Sequence, residues 1–227
     1  MLFCAERKEP SPLPGRNQNM RKYLTELIGT FFLVLTVGCT AIKPMPGVIP
    51  PLAIGSILMV MIFAGGHISG AHYNPAVTLG VWIRGRCSLR DALFYVVAQL
   101  GGALLAVSAV SFLRGVETRT PVAPAWAPAF LAEFLFTFAL VYVVLNAATA
   151  RETEGNSFYG LAIGMTVLAG AFAVGNISGA AFNPAVAIGV IGLGILPPGT
   201  FFFLYLPAEL LGGVIAGIVF RYLHPED

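Results

Sequence analysis

The sequence predicts an all-α membrane protein: six transmembrane helices and two re-entrant half-helices, arranged as an inverted repeat. Three observations carry that class. The 227 residues are 57% hydrophobic and only 11% charged, with a mean hydropathy of +0.81. A soluble domain carries about 25% charged residues, so too little polar surface exists here to solvate a globule. Six apolar runs are long enough to cross about 30 Å of hydrocarbon. Finally, one phrase occurs twice, Ser69-Gly70-Ala71-His72-Tyr73-Asn74-Pro75-Ala76-Val77 and Ser178-Gly179-Ala180-Ala181-Phe182-Asn183-Pro184-Ala185-Val186. The two asparagines stand 109 residues apart, about half the chain.

Taken in order, residues 1–22 are polar and basic, with Pro10, Pro12 and Pro14 and no apolar run fit for a signal-peptide core. They read as a cytoplasmic N-terminal tail before a single domain over 23–227. The first span runs from Tyr23 to Ala41 and is apolar except for Glu26; Lys43-Pro44-Met45-Pro46-Gly47 closes it. A second span, about Val48 to Gly65, leads into the first phrase. Pro75 then starts a stub, Ala76 to Ile83, too short to cross a bilayer and ended by Arg84-Gly85-Arg86. The third span is Leu89 to Leu113, and a Pro-containing loop covers 114–125. Pro128 to Ala150 is the fourth span, with one acid, Glu133. Ser157 to Val174 is the fifth, followed by the second phrase and its stub, Ala185 to Leu193. Thr200 to Leu223 is the sixth, containing Glu209.

The repeat extends beyond the phrases. Tyr23-Leu24-Thr25-Glu26 matches Phe130-Leu131-Ala132-Glu133, and the Gln99 segment matches the Glu209 segment. Repeat one covers about 23–113 and repeat two about 128–223. Three spans per half is an odd number, so the halves must lie in opposite orientations. Lys and Arg set the overall orientation. With both termini in the cytoplasm, ten of these residues fall inside; only Lys43, Arg114 and Arg119 fall outside. The expectation is a multi-pass protein of the plasma (inner) membrane. Cys4, Cys39 and Cys87 have neither CxxC nor zinc-site spacing, so free thiols, no metal and no cofactor are expected. Nothing points to nucleic acid; the expected surroundings are the lipid bilayer.

Non-helical backbone at membrane depth is tolerated only when buried in protein or lining a wet cavity. The two phrases are therefore expected to dip in from opposite faces and meet. Pro suits the first position of a helix, where its missing N–H has no partner anyway. Each stub would aim its N-terminus, equivalent to roughly half a positive charge, at the other. Asn74 and Asn183 would offer amide donors to a small polar solute, while cations meet positive potential. Asparagine suits this place because a carboxylate would attract cations; Ala76 and Ala185 let the ends approach. A lone Asn-Pro would mark only a turn, but two copies in register with a whole-chain repeat argue for a pore. Glu26 and Glu133 must find donors in hydrocarbon, and the descending loops have unpaired N–H groups to offer. These acids read as loop braces rather than proton carriers. Gln99 answers to Glu209, which suggests bracing there too.

The paired Asn-Pro-Ala boxes (Asn74, Pro75, Ala76 and Asn183, Pro184, Ala185), the Ser-Gly lead-in and the acids of the first and fourth spans resemble the major intrinsic protein family of aquaporins and aquaglyceroporins. The resemblance covers essentially all of residues 20–223. It implies one pore per subunit, a homotetramer, passive conduction of water or small neutral solutes, and His72 beside the bracing acid. Relatives usually carry Arg after the second box, where this chain has Val186. Their outer filter maps onto Ile54, Ala171, Ala180 and Val186, all apolar here, and water-specific members usually have His at the place of Ala171. On this resemblance the chain looks like an atypical member lacking the filter Arg, and an apolar and wide outer filter is expected. Glycerol facilitators usually have Asp where Ala187 stands. Glycerol, urea and metalloid hydroxides, including arsenicals, are the candidate solutes beside water. A coupled transporter would also use broken helices, but no Asp, Lys or Arg lies at mid-membrane. An intramembrane enzyme pairing Ser69 with His67 or His72 is disfavoured, because the second phrase repeats the Ser without a His. Gly160-x-x-x-Gly164 and Gly213-x-x-x-Gly217 permit close helix approach, within or between subunits.

Overall fold

The computed structural model describes residues 15–41, 49–115 and 121–227. The tail segment 1–14 with Cys4, the loop 42–48 with Lys43, and residues 116–120 with Arg119 lie outside the described residues. Among the described residues eight α-helices follow one another: α1 (Gly15–Ala41), α2 (Ile49–Ser69), α3 (Pro75–Arg84), α4 (Leu89–Arg114), α5 (Trp126–Ala148), α6 (Tyr159–Ser178), α7 (Pro184–Gly192) and α8 (Leu206–Leu223). Six segments are long and apolar enough to cross a membrane, and α3 and α7 are the two stubs. The sequence and the fold agree on every element and differ at its ends.

Three of those differences have a physical cause. Helix α1 begins at Gly15 instead of Tyr23, so part of the expected tail is helical; Lys22 and Tyr23 both donate to Asp91 at the start of α4, tying the two helices (3.3 and 3.0 Å). Helices α2 and α6 run on to Ser69 and Ser178, because Gly70 and Gly179 supply the left-handed residue that ends each helix (φ 88° in both). The sixth span opens with a π turn, Phe201–Tyr205, ahead of α8. Pro207 has no N–H to give, so a backbone acceptor is freed in the preceding turn. The Phe203 carbonyl accepts from the Trp126 indole N–H instead (3.2 Å).

The halves interlock. Helix α1 packs on α4, and α5 on α8 in the same manner; α2 crosses to α6. Each half-helix is clasped by the other half, α3 against α8 and α7 against α4. Glycines permit these approaches. A Cβ on Gly164 would lie 2.6 Å from the Gly55 carbonyl, and one on Gly213 would lie 2.6 Å from the Ala76 carbonyl. Both glycine pairs singled out in the sequence therefore serve packing within the chain, α2 on α6 and α3 on α8.

Candidate functional site: the loops, their braces and the lumen

Each phrase forms a loop with alternating left-handed residues. Ala71 and Tyr73 have φ of 52° and 51°, and Ala180 and Phe182 have 53° and 48°. Side chains with a Cβ adopt this region only at a cost of order 1–3 kcal/mol, so something must hold the loops. The braces are the buried acids. Glu26 Oε1 accepts from the Ser69 hydroxyl (2.7 Å) and the His72 N–H (3.0 Å); Oε2 accepts from the Tyr73 N–H (2.7 Å) and the Gln99 amide (2.9 Å). Glu133 accepts from the Ala181 and Phe182 N–H groups (3.1 and 2.7 Å), while Glu209 takes the Asn183 N–H (2.9 Å). Tyr95 and Tyr205 complete each half by donating to the carbonyls of Ser69 and Ser178.

His72 is placed beside the brace, but it meets Glu26 through its backbone. Its ring Nδ1 lies 3.1 Å from the Thr78 hydroxyl. That hydroxyl spends its own hydrogen on the Asn74 carbonyl (3.0 Å) and accepts from Gln99 (3.0 Å). The hydrogen count therefore assigns a proton to Nδ1.

Asn74 and Asn183 cap α3 and α7. Asn74 Oδ1 accepts from the Ala76 N–H (2.8 Å), and Asn183 Oδ1 from the Ala185 N–H (2.9 Å), with Pro at the first position of both helices. Their amides cross over: Asn74 Nδ2 donates to the Phe182 carbonyl (2.8 Å) and Asn183 Nδ2 to the Tyr73 carbonyl (2.9 Å). Sequence reasoning gave the lumen both amide hydrogens. One hydrogen of each amide is committed to locking the opposite loop, and one remains. The two half-helices thus abut with their positive ends together, both asparagines facing one cavity.

That cavity is about 30 Å³; His72 and Tyr73 also border it, and the rest of its wall is aliphatic, with Leu33, Leu58, Leu140 and Val167. It has room for roughly one to three water-sized molecules. It lies between two larger spaces. One, at the end bearing Arg86 and Arg151, is about 490 Å³; the other, at the end bearing Pro50 and Pro51, is about 550 Å³. The four filter positions lie close to this path but not on one level. Ile54 and Ala180 border both the lumen and the 550 Å³ space; Ala171 borders only the latter, and Val186 only the lumen.

Sequence reasoning missed the anchoring of α3 at its far end. The last residue of α3, Arg84, is buried and donates to Thr149 Oγ1 (3.0 Å), the Thr149 carbonyl (2.9 Å) and Asp227 Oδ1 (2.6 Å), with Phe220 under its guanidinium. A cation at a helix C-terminus was the available signal. Burial pushes the Asp227 carboxyl up, but the Arg84 and Arg151 hydrogen bonds outweigh it and hold the group below its ordinary value.

Known proteins resemble this chain in sequence and in fold. The family model described as "Major intrinsic protein" matches residues 15–220. The chain is 37% identical to Aquaporin NIP1-3 of Oryza sativa subsp. japonica over 221 residues, covering 92% of this chain and 76% of that protein. It is 34% identical to the glycerol uptake facilitator protein-like 6 of Lactiplantibacillus plantarum over 218 residues, covering 92% of this chain and all of that protein. Its fold matches the aquaglyceroporin of Plasmodium falciparum with a TM-score of 0.71 at 20% identity, over 92% of this chain and 96% of that one. With a matching family model along nearly its whole length, and loops, caps and half-helices paired across the lumen, this multi-pass membrane chain belongs to the major intrinsic protein family.

Proposed function

We propose that this protein is a passive channel for water and small neutral solutes, conducting through the lumen between α3 and α7. One observation carries the reading: the reciprocal bonds of Asn74 and Asn183 to the opposite loop, which fix two helix N-termini against one narrow, largely apolar cavity. Positive potential at that point repels cations and hopping protons, while one free hydrogen on each amide serves a neutral acceptor. Asn74, Pro75, Ala76, Asn183, Pro184 and Ala185 form the central station. Ile54, Ala171, Ala180 and Val186 belong to an apolar outer filter, and Glu26, His72 and Glu133 brace the loops.

The solute class follows from the wall. At the outer filter positions Ile54, Ala171, Ala180 and Val186 no side chain offers a donor, so water loses hydrogen bonds there and neutral solutes that carry C–H surface are favoured. Glycerol and urea fit, and the similarity to a protein named as a glycerol uptake facilitator supports the first. Metalloid hydroxides, such as trivalent arsenic acid, are neutral and hydroxyl-bearing and fall in the same class. The Ser69 hydroxyl is committed to Glu26, which supports a channel without enzymatic activity. We place both termini in the cytoplasm, from the loop charges, and the protein as a homotetramer in the plasma (inner) membrane.

Stopped-flow light scattering on proteoliposomes tests the reading with water, glycerol and urea gradients. The expected outcome is flux of water and of at least one solute, insensitive to an uncoupler. Val186→Arg should narrow solute entry by about tenfold while sparing water. Flux of water alone sinks the apolar-filter reading, and abolition by an uncoupler sinks the passive one.

A further inference from the structure

The residues that border both the lumen and the 550 Å³ mouth mark where one becomes the other. They are Val37, Ile54, Ala180 and Ala181. Ile54 and Ala180 are filter positions that the resemblance implies, but Val37 comes from α1, outside both boxes and those positions. Val37 stands one helical turn beyond Leu33, which also faces the lumen. Its depth is fixed by its neighbours. Val34 is fully buried and fills the place where a Cβ on Gly189 of α7 would be, and Gly38 admits Leu193 and Val110. Helix α1 is thereby keyed to α7, and Val37 cannot slide along the path. Val186, on α7, borders the lumen alone and leaves this level to α1.

We propose that Val37 is a specificity-determining residue, the wall that closes the outer constriction opposite Ile54 and Ala180. The proposal rests on the channel reading above and adds a position outside the four filter sites. Valine presents two methyl groups and neither a donor nor an acceptor. Water passing it leaves hydrogen bonds unmade on that side, whereas a solute with C–H surface meets a matching wall. Its branched side chain also limits width, since only Val37 and Ile54 among the four shared residues are larger than alanine. A hydroxyl here would bond to the carbonyl one turn earlier, as Thr36 does to Phe32 and Thr40 to Thr36 (2.9 Å each), and would turn a lone pair to the path.

The test uses the full chain in proteoliposomes, with water and glycerol fluxes measured separately. The variants are Val37→Ala, Val37→Thr and Val37→Phe, with Leu104→Phe on the exposed face of α4 as a control for an added ring. Val37→Ala should raise glycerol flux about threefold, and Val37→Thr should raise the water-to-glycerol ratio by a similar factor. Val37→Phe should cut glycerol flux about tenfold and water less, with the control near wild type. If Val37→Phe does not assemble, the alanine and threonine variants decide. Water and glycerol fluxes in both within about 1.5-fold of wild type overturn the proposal. A wild-type protein passing only water removes the solute claim of the channel reading, yet the water fluxes of the two variants still decide on Val37. A wild-type protein passing neither overturns both.

Discussion

In the first half, Glu26 collects four donors: a hydroxyl, two backbone N–H groups and the Gln99 amide, which also reaches Thr78. In the second half, Glu133 accepts two backbone N–H groups, and a second acid, Glu209, stands where Gln99 would be. Ala181 and Ala187 replace the His72 and Thr78 that wire the first loop together. The two backbones nonetheless match within a few degrees at the left-handed residues. The comparison teaches that the loop shape is the constant, and that any set of buried acceptors meeting the inner N–H groups suffices to hold it. The far ends differ too. Helix α3 ends on buried Arg84, clamped to Thr149 and Asp227, whereas α7 ends in a plain turn at Leu193 and Gly194.

The largest effect expected from breaking this comparison is Glu26→Ala against Glu133→Ala. Each buried donor left without a partner costs about 1–3 kcal/mol. Glu26→Ala strands four donors and should prevent recovery of folded protein from detergent extracts. Glu133→Ala strands two N–H groups, with Glu209 still holding the third, and should give folded but less thermostable protein. Equal outcomes would mean that the halves are braced alike.

Next is a swap at the equivalent positions. Glu209 Oε2 is buried without a partner, and the side chain lies against Glu133. Glu209→Gln removes one of two adjacent acids and supplies an amide donor, so it should raise the melting temperature by a few degrees, on the order of 1 kcal/mol. Gln99→Glu removes the donor to Glu26 and Thr78, and should lower it by about twice as much. Thermal unfolding in detergent measures both, and the same sign for the two swaps would contradict the asymmetry.

A packing substitution follows. Gly164→Val sets a branched side chain against the Gly55 carbonyl and Met59, and overpacking of this kind costs about 1–3 kcal/mol. It should lower the melting temperature in detergent. An unchanged melting temperature would contradict the packing of that glycine on α2 within the chain.

The smallest effect is Asp227→Asn, which weakens the clamp on α3. Because the carboxyl is held below its ordinary value, its contribution is complete above the unfolded value near 4 and lost as pH falls through the lower folded one. The variant should melt about 1 °C lower at pH 7 and level with wild type near pH 2. No difference at pH 7 would locate the clamp in the main-chain oxygen of Asp227, which the variant keeps, instead.

Much of this was legible before any coordinates. The acids at Glu26 and Glu133, the paired boxes and their stubs were readable because each departs from what its surroundings demand. A carboxylate in an apolar run, or a proline opening a short stretch, has few physical uses. The reach of α2 and α6 to Ser69 and Ser178 was less legible. Glycine ends a helix as readily as it fills a loop, and the spans were closed several residues early. Val37 was not legible, and of the Arg84 clamp only the cation at a helix end was. A valine in an apolar run on α1, or an arginine close to another, carries no mark of its partner in the sequence.

By itself, the sequence determined the helical membrane class and the duplication, and it singled out Asn74 and Asn183. Composition and spacing are local properties, and a bilayer leaves few ways to satisfy them. Only the tertiary structure decided which hydrogens the asparagines keep, which glycines pack within the chain, and that α1 supplies a wall to the constriction. Those outcomes rest on contacts between residues far apart in the chain. Their geometry exists only once the two halves are packed around a shared axis.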